Sequence, residues 1–347
     1  MEFQDYLKQQ LDNHPSIQPR DVVKLCYQAA FGAEHLLTDM DGAKAYFEKE
    51  YTAVPAADAP LFEEISPSVC RISLPAWKAS GMPAEWLFRM FAASTTIPQG
   101  GKEVFLSYLE TAGDVLKTAS FSLAEWKDFL AQYLKDGIRA VHHSEAYRDA
   151  EHPAYRIVHK KFLRLLPLLQ AAAKLPDDGS VKVIAIDGRA ASGKTTLSED
   201  LGYLLQAGIV HMDDFFLPPA LRREERLAEP GGNIHYERFA ADVLPFLQNA
   251  EGFSYPVFDC GIMELNGSCA VPPSRWRIVE GAYSCHPLFG NYADLTVFSD
   301  ISPEEQEARI LRRNGAEMLE MFRKRWIPME EEYYTHFKIR EQADVLL

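Results

Sequence analysis

The 347-residue chain contains no run approaching the ~20 consecutive apolar residues of a membrane-spanning helix, although 47% of its residues are hydrophobic. Its opening residues, Met1 to Tyr6, lack the basic start and apolar core of a secretion signal. Basic charge is in short supply as well. The 36 Lys and Arg against 50 Asp and Glu leave a formal net charge of -14, which argues against nucleic acid or an anionic membrane as the main partner. Only five cysteines occur, Cys26, Cys70, Cys260, Cys269 and Cys285. They lie far apart, with no C-x-x-C pair and no His at zinc-finger spacing, so neither a disulfide framework nor a structural zinc organises the fold. Internal repeats and low-complexity segments are missing too. The expectation is a cytoplasmic protein with reduced thiols, long enough for two domains with a core each.

Strand-like alternation is scarce up to about residue 174, whereas apolar residues recur at spacings of three and four, which predicts an all-α domain over residues 1–175. Ser122 and Glu125 form a capping-box pattern, and Phe121 and Trp126 are placed for a hydrophobic staple. A helix is expected from there to about Lys135, before Gly137. Pro83 opens another, through Trp86, Met90 and Phe91. Residues 155–174 put Val158, Phe162, Leu165 and Leu169 on one face and predict a helix kinked at Pro167. Turn formers and charge over 175–180 mark a linker.

From Val181 the texture changes to short β-branched runs alternating with helical patterns, which predicts an α/β domain over 176–347 with a parallel sheet flanked by helices. The expected strands are 181–186, 208–212, 275–280, 295–298 and 343–347. Ser302, Pro303 and Glu305 predict the start of the helix that carries Arg309, Arg312 and Arg313.

Between the first of these strands and a helix lie Gly188, Arg189, Ala190, Ala191, Ser192, Gly193, Lys194 and Thr195. They match G-x-x-x-x-G-K-S/T at every fixed position and in the context its mechanism requires. Glycines let the backbone curl so that successive N–H groups and the helix N-terminus point at a phosphate, which the helix dipole also favours. Lys194 is expected to bridge the β- and γ-phosphates of ATP, the Thr195 hydroxyl to bind Mg²⁺, and Thr196 to add a contact from the first helical turn. Asp213 ends the second expected strand, at the carboxyl edge of the sheet where ligands of open α/β folds collect. A carboxylate there can accept a proton from an attacking hydroxyl or orient Mg²⁺.

Four segments carry a family resemblance: 211–216 with Asp213, Asp214, Phe215 and Phe216; 255–259 ending on Asp259; 279–287 with Glu280, Tyr283 and His286; and 309–314 with its three arginines. Over residues 181–347 the chain resembles the uridine kinase family, with further likeness to nicotinamide riboside kinases and phosphoribulokinases. The resemblance implies ATP-dependent phosphorylation of a hydroxyl on a small molecule, a nucleoside or riboside first among the acceptors. Asp213 would then be the acceptor-activating base, with Asp214 as the alternative. Asp259 would bind ribose hydroxyls, and Glu280 would hold Mg²⁺ through water. Arg309, Arg312 and Arg313 would form a lid that neutralises charge in the transition state. Tyr236, Phe258, Tyr283 and His286 are candidates for the acceptor pocket or for ordinary packing. Phe258 stands where uridine kinases usually carry tyrosine, and the Asp213-Asp214-Phe215-Phe216 run is closer to the nicotinamide riboside kinases. Another small alcohol, such as pantothenate or a sugar phosphate, is therefore the second acceptor reading. A nucleotide-controlled switch acting through the helical domain is a third. Residues 218–235, with Arg222, Arg223, Arg226, Gly231 and Gly232, read as an acceptor loop whose arginines suit a phosphorylated compound.

The first half lies outside the resemblance. Its polar clusters, Glu34 with His35, and His142, His143 and Ser144 with Tyr147, His152, Tyr155, Arg156 and His159, are expected as hydrogen-bonded packing, since a metal site needs three or four converging ligands. Control of substrate access, oligomerisation and binding of a regulator stay open as its role.

Overall fold

Residues 2–33, 37, 39–119 and 121–347 are described by a computed structural model, in which the chain divides into two units, Met1–Arg164 and Leu165–Leu347. Among the described residues no helix is long and apolar enough to cross a membrane.

The first unit runs through α1 (Phe3–Asn13), α2 (Pro19–Phe31), α3 (Met40–Ala53), β1 (Phe62–Glu64), β2 (Val69–Ser73), α4 (Leu74–Ala79), α5 (Ala84–Ser94), α6 (Gly101–Leu116), α7 (Leu123–Lys135), α8 (Glu145–Glu151) and β3 (Tyr155–His159). Ser122 caps α7, its Oγ accepting from the Glu125 amide at 3.3 Å. Helices dominate, but the all-α expectation is corrected by an antiparallel sheet ordered β1-β2-β3. Its middle strand, β2, has Val69, Cys70, Arg71 and Ile72 all buried, so no alternation betrays it. The helix expected over 155–174 is instead β3, a 3-10 turn and the short helix α9 (Leu166–Ala172). Ile157 and Val158 are β-branched and pair with Arg71 and Cys70, and Pro167 sits in the first turn of α9, where a missing N–H costs nothing.

Of the expected polar clusters, Glu34 and His35 lie outside the described residues. His143 donates or accepts at both ring nitrogens, to Asp21 at 2.8 Å and to the Tyr155 hydroxyl at 2.7 Å. Asp21 also accepts from the Ser144 amide and hydroxyl. Arg156 pairs with Glu50 at 2.7 Å. Among the described residues no three His, Cys, Asp or Glu side chains are grouped to hold a metal ion.

The second unit begins with α9, which packs on strands at the far edge of its sheet. It continues through β4 (Lys182–Gly188), α10 (Lys194–Leu205), β5 (Gly208–His211), α11 (Glu224–Leu227), α12 (Tyr236–Asp242), α13 (Leu244–Leu247), β6 (Phe253–Asp259), β7 (Glu264–Val271), β8 (Trp276–Glu280), β9 (Leu295–Ser299), α14 (Pro303–Met321), α15 (Ile327–Phe337), α16 (Ile339–Gln342) and β10 (Val345–Leu346). Five strands form a wholly parallel sheet in the order β10-β9-β4-β8-β5, so the unit is α/β. All seven residues of β4 are buried, as a central parallel strand requires. The turn at 175–180 lies inside this unit, where Asp178 accepts from the Ser180 amide and from Lys182 Nζ. An antiparallel hairpin, β6–β7, is additional to the expected strands. Ser302 caps α14 through the Glu305 amide at 3.3 Å, and α14 breaks direction at Gly315, whose φ is 83°.

Candidate active site

Strand β4 delivers the chain to the phosphate loop through Gly188, at φ 136°. A Cβ there would lie 2.1 Å from the Ser299 carbonyl oxygen, so only glycine lets β4 and β9 keep their register at this point. Gly193, at φ 97°, then turns the loop into α10. Lys194 Nζ donates to the carbonyls of Gly188 at 2.6 Å and Arg189 at 2.9 Å, which curls the cation over its own loop. Ser192 Oγ is buried with no partner among the described residues. A helix N-terminus and a lysine held over it fit a phosphate group. Ala190, Ala191, Gly193, Lys194, Thr195 and Thr196 line a cavity of about 720 Å³. Gly188, Arg189 and Ser192 do not line it; the Arg189 guanidinium pairs with Glu331 at 2.6 Å and with Asp300, leaving the loop only its backbone.

Thr195 Oγ1 lies 3.4 Å from Glu280 Oε1 and 3.5 Å from Oε2. Glu280 ends β8, faces the cavity and also meets His211 Nδ1 at 2.7 Å, a bond that raises the His211 pKa. A hydroxyl and a carboxylate side by side at the phosphate loop are hard oxygen donors suited to Mg²⁺, which would share its remaining ligands with phosphates and water.

Asp213 follows β5 on a 3-10 turn over Met212–Phe215 and lines the cavity. It is open to the cavity yet enclosed by its walls. Burial pushes the carboxyl pKa up, against the pull of Lys194. Asp214 is turned the other way, accepting from the Tyr255 hydroxyl at 2.9 Å. The pair of adjacent aspartates is thereby divided between the cavity and the hairpin.

Arg309, Arg312 and Arg313 all line the cavity. Arg309 donates to the Ala191 carbonyl at 3.2 Å while pairing with Glu305 at 2.8 Å, and Gln306 reaches the Ala190 carbonyl at 3.1 Å. Helix α14 therefore already leans on the phosphate loop.

Among the expected acceptor residues only Tyr283 lines the cavity. Asp259 accepts from the Gly261 amide at 2.8 Å and from Asn266 at 3.3 Å, which ties it to the β6–β7 turn. Tyr236 lies beneath the Arg226 guanidinium, 3.4 Å from its ring centroid, and donates to Glu229 at 3.0 Å. Phe258 is buried on β6. His286 accepts from the Leu288 amide at Nδ1, donates to the Pro230 carbonyl at Nε2 and stacks on Tyr333, so both ring nitrogens are committed to packing.

Several site residues have no motif to announce them. Asp187 is fully buried at the end of β4 and accepts from the Gly188, Tyr283 and Cys285 amides and the Tyr333 hydroxyl. Burial pushes its pKa up against those bonds. Glu330 on α15 accepts from the Ala190 amide at 2.9 Å, and burial lifts its pKa to about 7 against the pull of Lys194. Asn233, Arg222 and Arg325 also line the cavity. Arg222 and Asn233 belong to the segment 218–235 expected as an acceptor loop, whereas the signal for Arg325 is the density of basic residues at 323–325.

No known family profile matches the chain, and no curated protein does. Solved structures do. One from Bacillus stearothermophilus, described as a possible uridine kinase, aligns with a TM-score of 0.42 at 19% identity over 54% of this chain and 99% of its own. A provisionally assigned fructose transport system kinase from a Silicibacter species aligns with a TM-score of 0.41 at 22% identity, over 50% of this chain and 92% of its own.

Proposed function

We propose that the unit Leu165–Leu347 is an ATP-dependent phosphotransferase whose acceptor is a hydroxyl of a small molecule. The observation that carries this reading is one cavity lined by the phosphate loop, by the Thr195–Glu280 pair and by Asp213. A switch would need the first two; a carboxylate facing the same space is what a transfer reaction adds.

The loop amides and Lys194 would hold the triphosphate, and Thr195 with Glu280 would hold Mg²⁺, which supplies charge neutralisation at the phosphates. Asp213 takes the proton of the acceptor hydroxyl. That oxygen bonds to the γ-phosphorus as the bridge to the β-phosphate breaks, its electron pair leaving with ADP. Arg309, Arg312 and Arg313 lower the cost of charge on the transferring group, and α14 excludes water when it closes. A riboside as acceptor draws support from Asp259 in the family resemblance, but Asp259 belongs to the hairpin turn. The reading is therefore kept at a small hydroxyl compound.

The test is Asp213→Asn, assayed with labelled ATP and a pool of hydroxylated metabolites. Phosphorylation should fall by about 10²- to 10⁴-fold with nucleotide affinity nearly unchanged, and Asp214→Asn should do less. In the same assay Lys194→Ala should abolish most of the thermal stabilisation by ATP–Mg²⁺. Wild-type turnover in Asp213→Asn would remove Asp213 as the base, whereas absence of any phosphorylated product from the wild-type chain would leave the switch reading.

A further inference from the structure

Six cations line the cavity, Lys194, Arg222, Arg309, Arg312, Arg313 and Arg325, against the carboxylates Asp213, Glu280 and Glu330. Four of the six belong to the nucleotide side: Lys194 and Arg309 touch the phosphate loop, and Arg312 and Arg313 share the helix of Arg309. Arg222 and Arg325 do not. Arg222 comes from the segment after β5 and is anchored by Nε donating to the Leu217 carbonyl at 2.7 Å, so its two terminal nitrogens make no hydrogen bond among the described residues. Arg325 sits in the π-helical stretch Phe322–Trp326, its guanidinium 4.9 Å from the centroid of the Trp326 ring and paired with no carboxylate among the described residues. Both residues line the one cavity, and Arg325, after burial, adds to the depression of the Arg222 pKa.

Two like charges facing one cavity, with no carboxylate partner among the described residues, form an arrangement that an anion stabilises. Its position is the acceptor's. Arg222 is held at the Leu217 carbonyl, and the Leu217 amide donates to the Asn233 carbonyl at 2.9 Å, which keeps Arg222 beside Asn233 on the segment that follows Asp213 rather than on the phosphate loop. Asn233 is 5% exposed, lines the cavity and has no partner for its side-chain oxygen among the described residues, so that oxygen can accept from a hydroxyl.

We propose that the acceptor is a small hydroxyl compound bearing an anionic group, a carboxylate or a phosphate, which Arg222 and Arg325 grip while Asn233 and Asp213 engage its hydroxyl end. This rests on the phosphotransferase reading above.

The full chain, saturated with AMP-PNP and Mg²⁺ so that the phosphate loop is occupied, is titrated with inorganic phosphate and with acetate at constant ionic strength, chloride serving as the reference salt. Calorimetry and the thermal midpoint should report a second binding event for at least one of them; phosphate alone points to a phosphorylated acceptor, and acetate as well as phosphate to a site open to carboxylates. Arg222→Gln and Arg325→Gln should each weaken that event about 10- to 100-fold while AMP-PNP binds as in wild type, which also shows that the variants are folded. No second event with either anion, or one that both variants retain, overturns the proposal. Failure of AMP-PNP itself to bind would sink the phosphotransferase reading instead, and is seen in the first step of the same titration.

Discussion

Glu330 carries a carboxylate into a cavity rich in cations, where it accepts the Ala190 amide hydrogen at 2.9 Å and burial lifts its pKa to about 7. The amide belongs to the loop that would cradle a phosphate, so ionised Glu330 and a nucleotide compete for one donor and repel each other. The folded-state pKa lies above the ordinary glutamate value of 4.5, so the native state holds the proton more tightly, and stability is lost as pH rises from there through about 7. Glu330→Gln keeps the shape without the charge. It should raise the thermal midpoint at pH 8 more than at pH 5, with a limit of about 3 kcal/mol. Calorimetry at pH 6 and pH 8 should also show wild type losing nucleotide affinity with rising pH more steeply than the variant. Equal slopes would place the titration elsewhere. Nothing in the sequence singles this residue out, because Glu330, Glu331 and Glu332 are three consecutive acids. Helical phase separates them: Glu330 points inward, Glu331 pairs with Arg189 and Glu332 is exposed. Asp213 and Asp214 are ambiguous in sequence for the same reason, and a 3-10 turn resolves them.

At the scale of elements, those legible in advance are the ones whose local chemistry and burial agree. Strands β4 and β9 are centred on apolar runs, β8 on Ile278 and Val279, and Ser122 and Ser302 cap the helices their spacing implies. The elements that stay hidden have side chains set by tertiary partners. Strand β2 carries a buried arginine at its centre, β7 is exposed along most of its length, and Val158, Phe162, Leu165 and Leu169 satisfy helical spacing although only the last lies in an α-helix. For helix α9 this tertiary dependence has a measurable cost. Leu165, Leu166, Leu168 and Leu169 are buried, and α9 packs on β9 and β10. Each such leucine is worth about 1.5 to 3 kcal/mol when removed from water. A fragment of residues 165–347 should therefore fold and bind ATP, whereas one of residues 176–347 should melt far lower or stay unfolded, as read by circular dichroism. Equal melting of the two would mean that α9 adds nothing to the sheet.

Over the whole molecule, the division into two units is visible in sequence as a change of texture near Val181, but it falls earlier, at Arg164, because a turn-forming composition marks a turn and not necessarily a boundary. Charge is distributed just as unevenly as structure. The chain carries a net -14, while one cavity gathers six cations. An approaching nucleotide samples these two fields at different ranges. In about 0.01 M salt the screening length is roughly 30 Å and the repulsive whole is felt; near 0.1 M it is roughly 10 Å, and the mouth of the cavity governs the encounter. Stopped-flow association rates for ATP should consequently rise with the first additions of salt, pass through a maximum and fall as the arginines are screened in turn. A steady decline from the lowest salt would mean that the cavity field dominates at every distance. With a maximum, the chain behaves as a filter on traffic, holding polyanions off in dilute electrolyte and admitting them where ordinary ionic strength has silenced everything but the entrance.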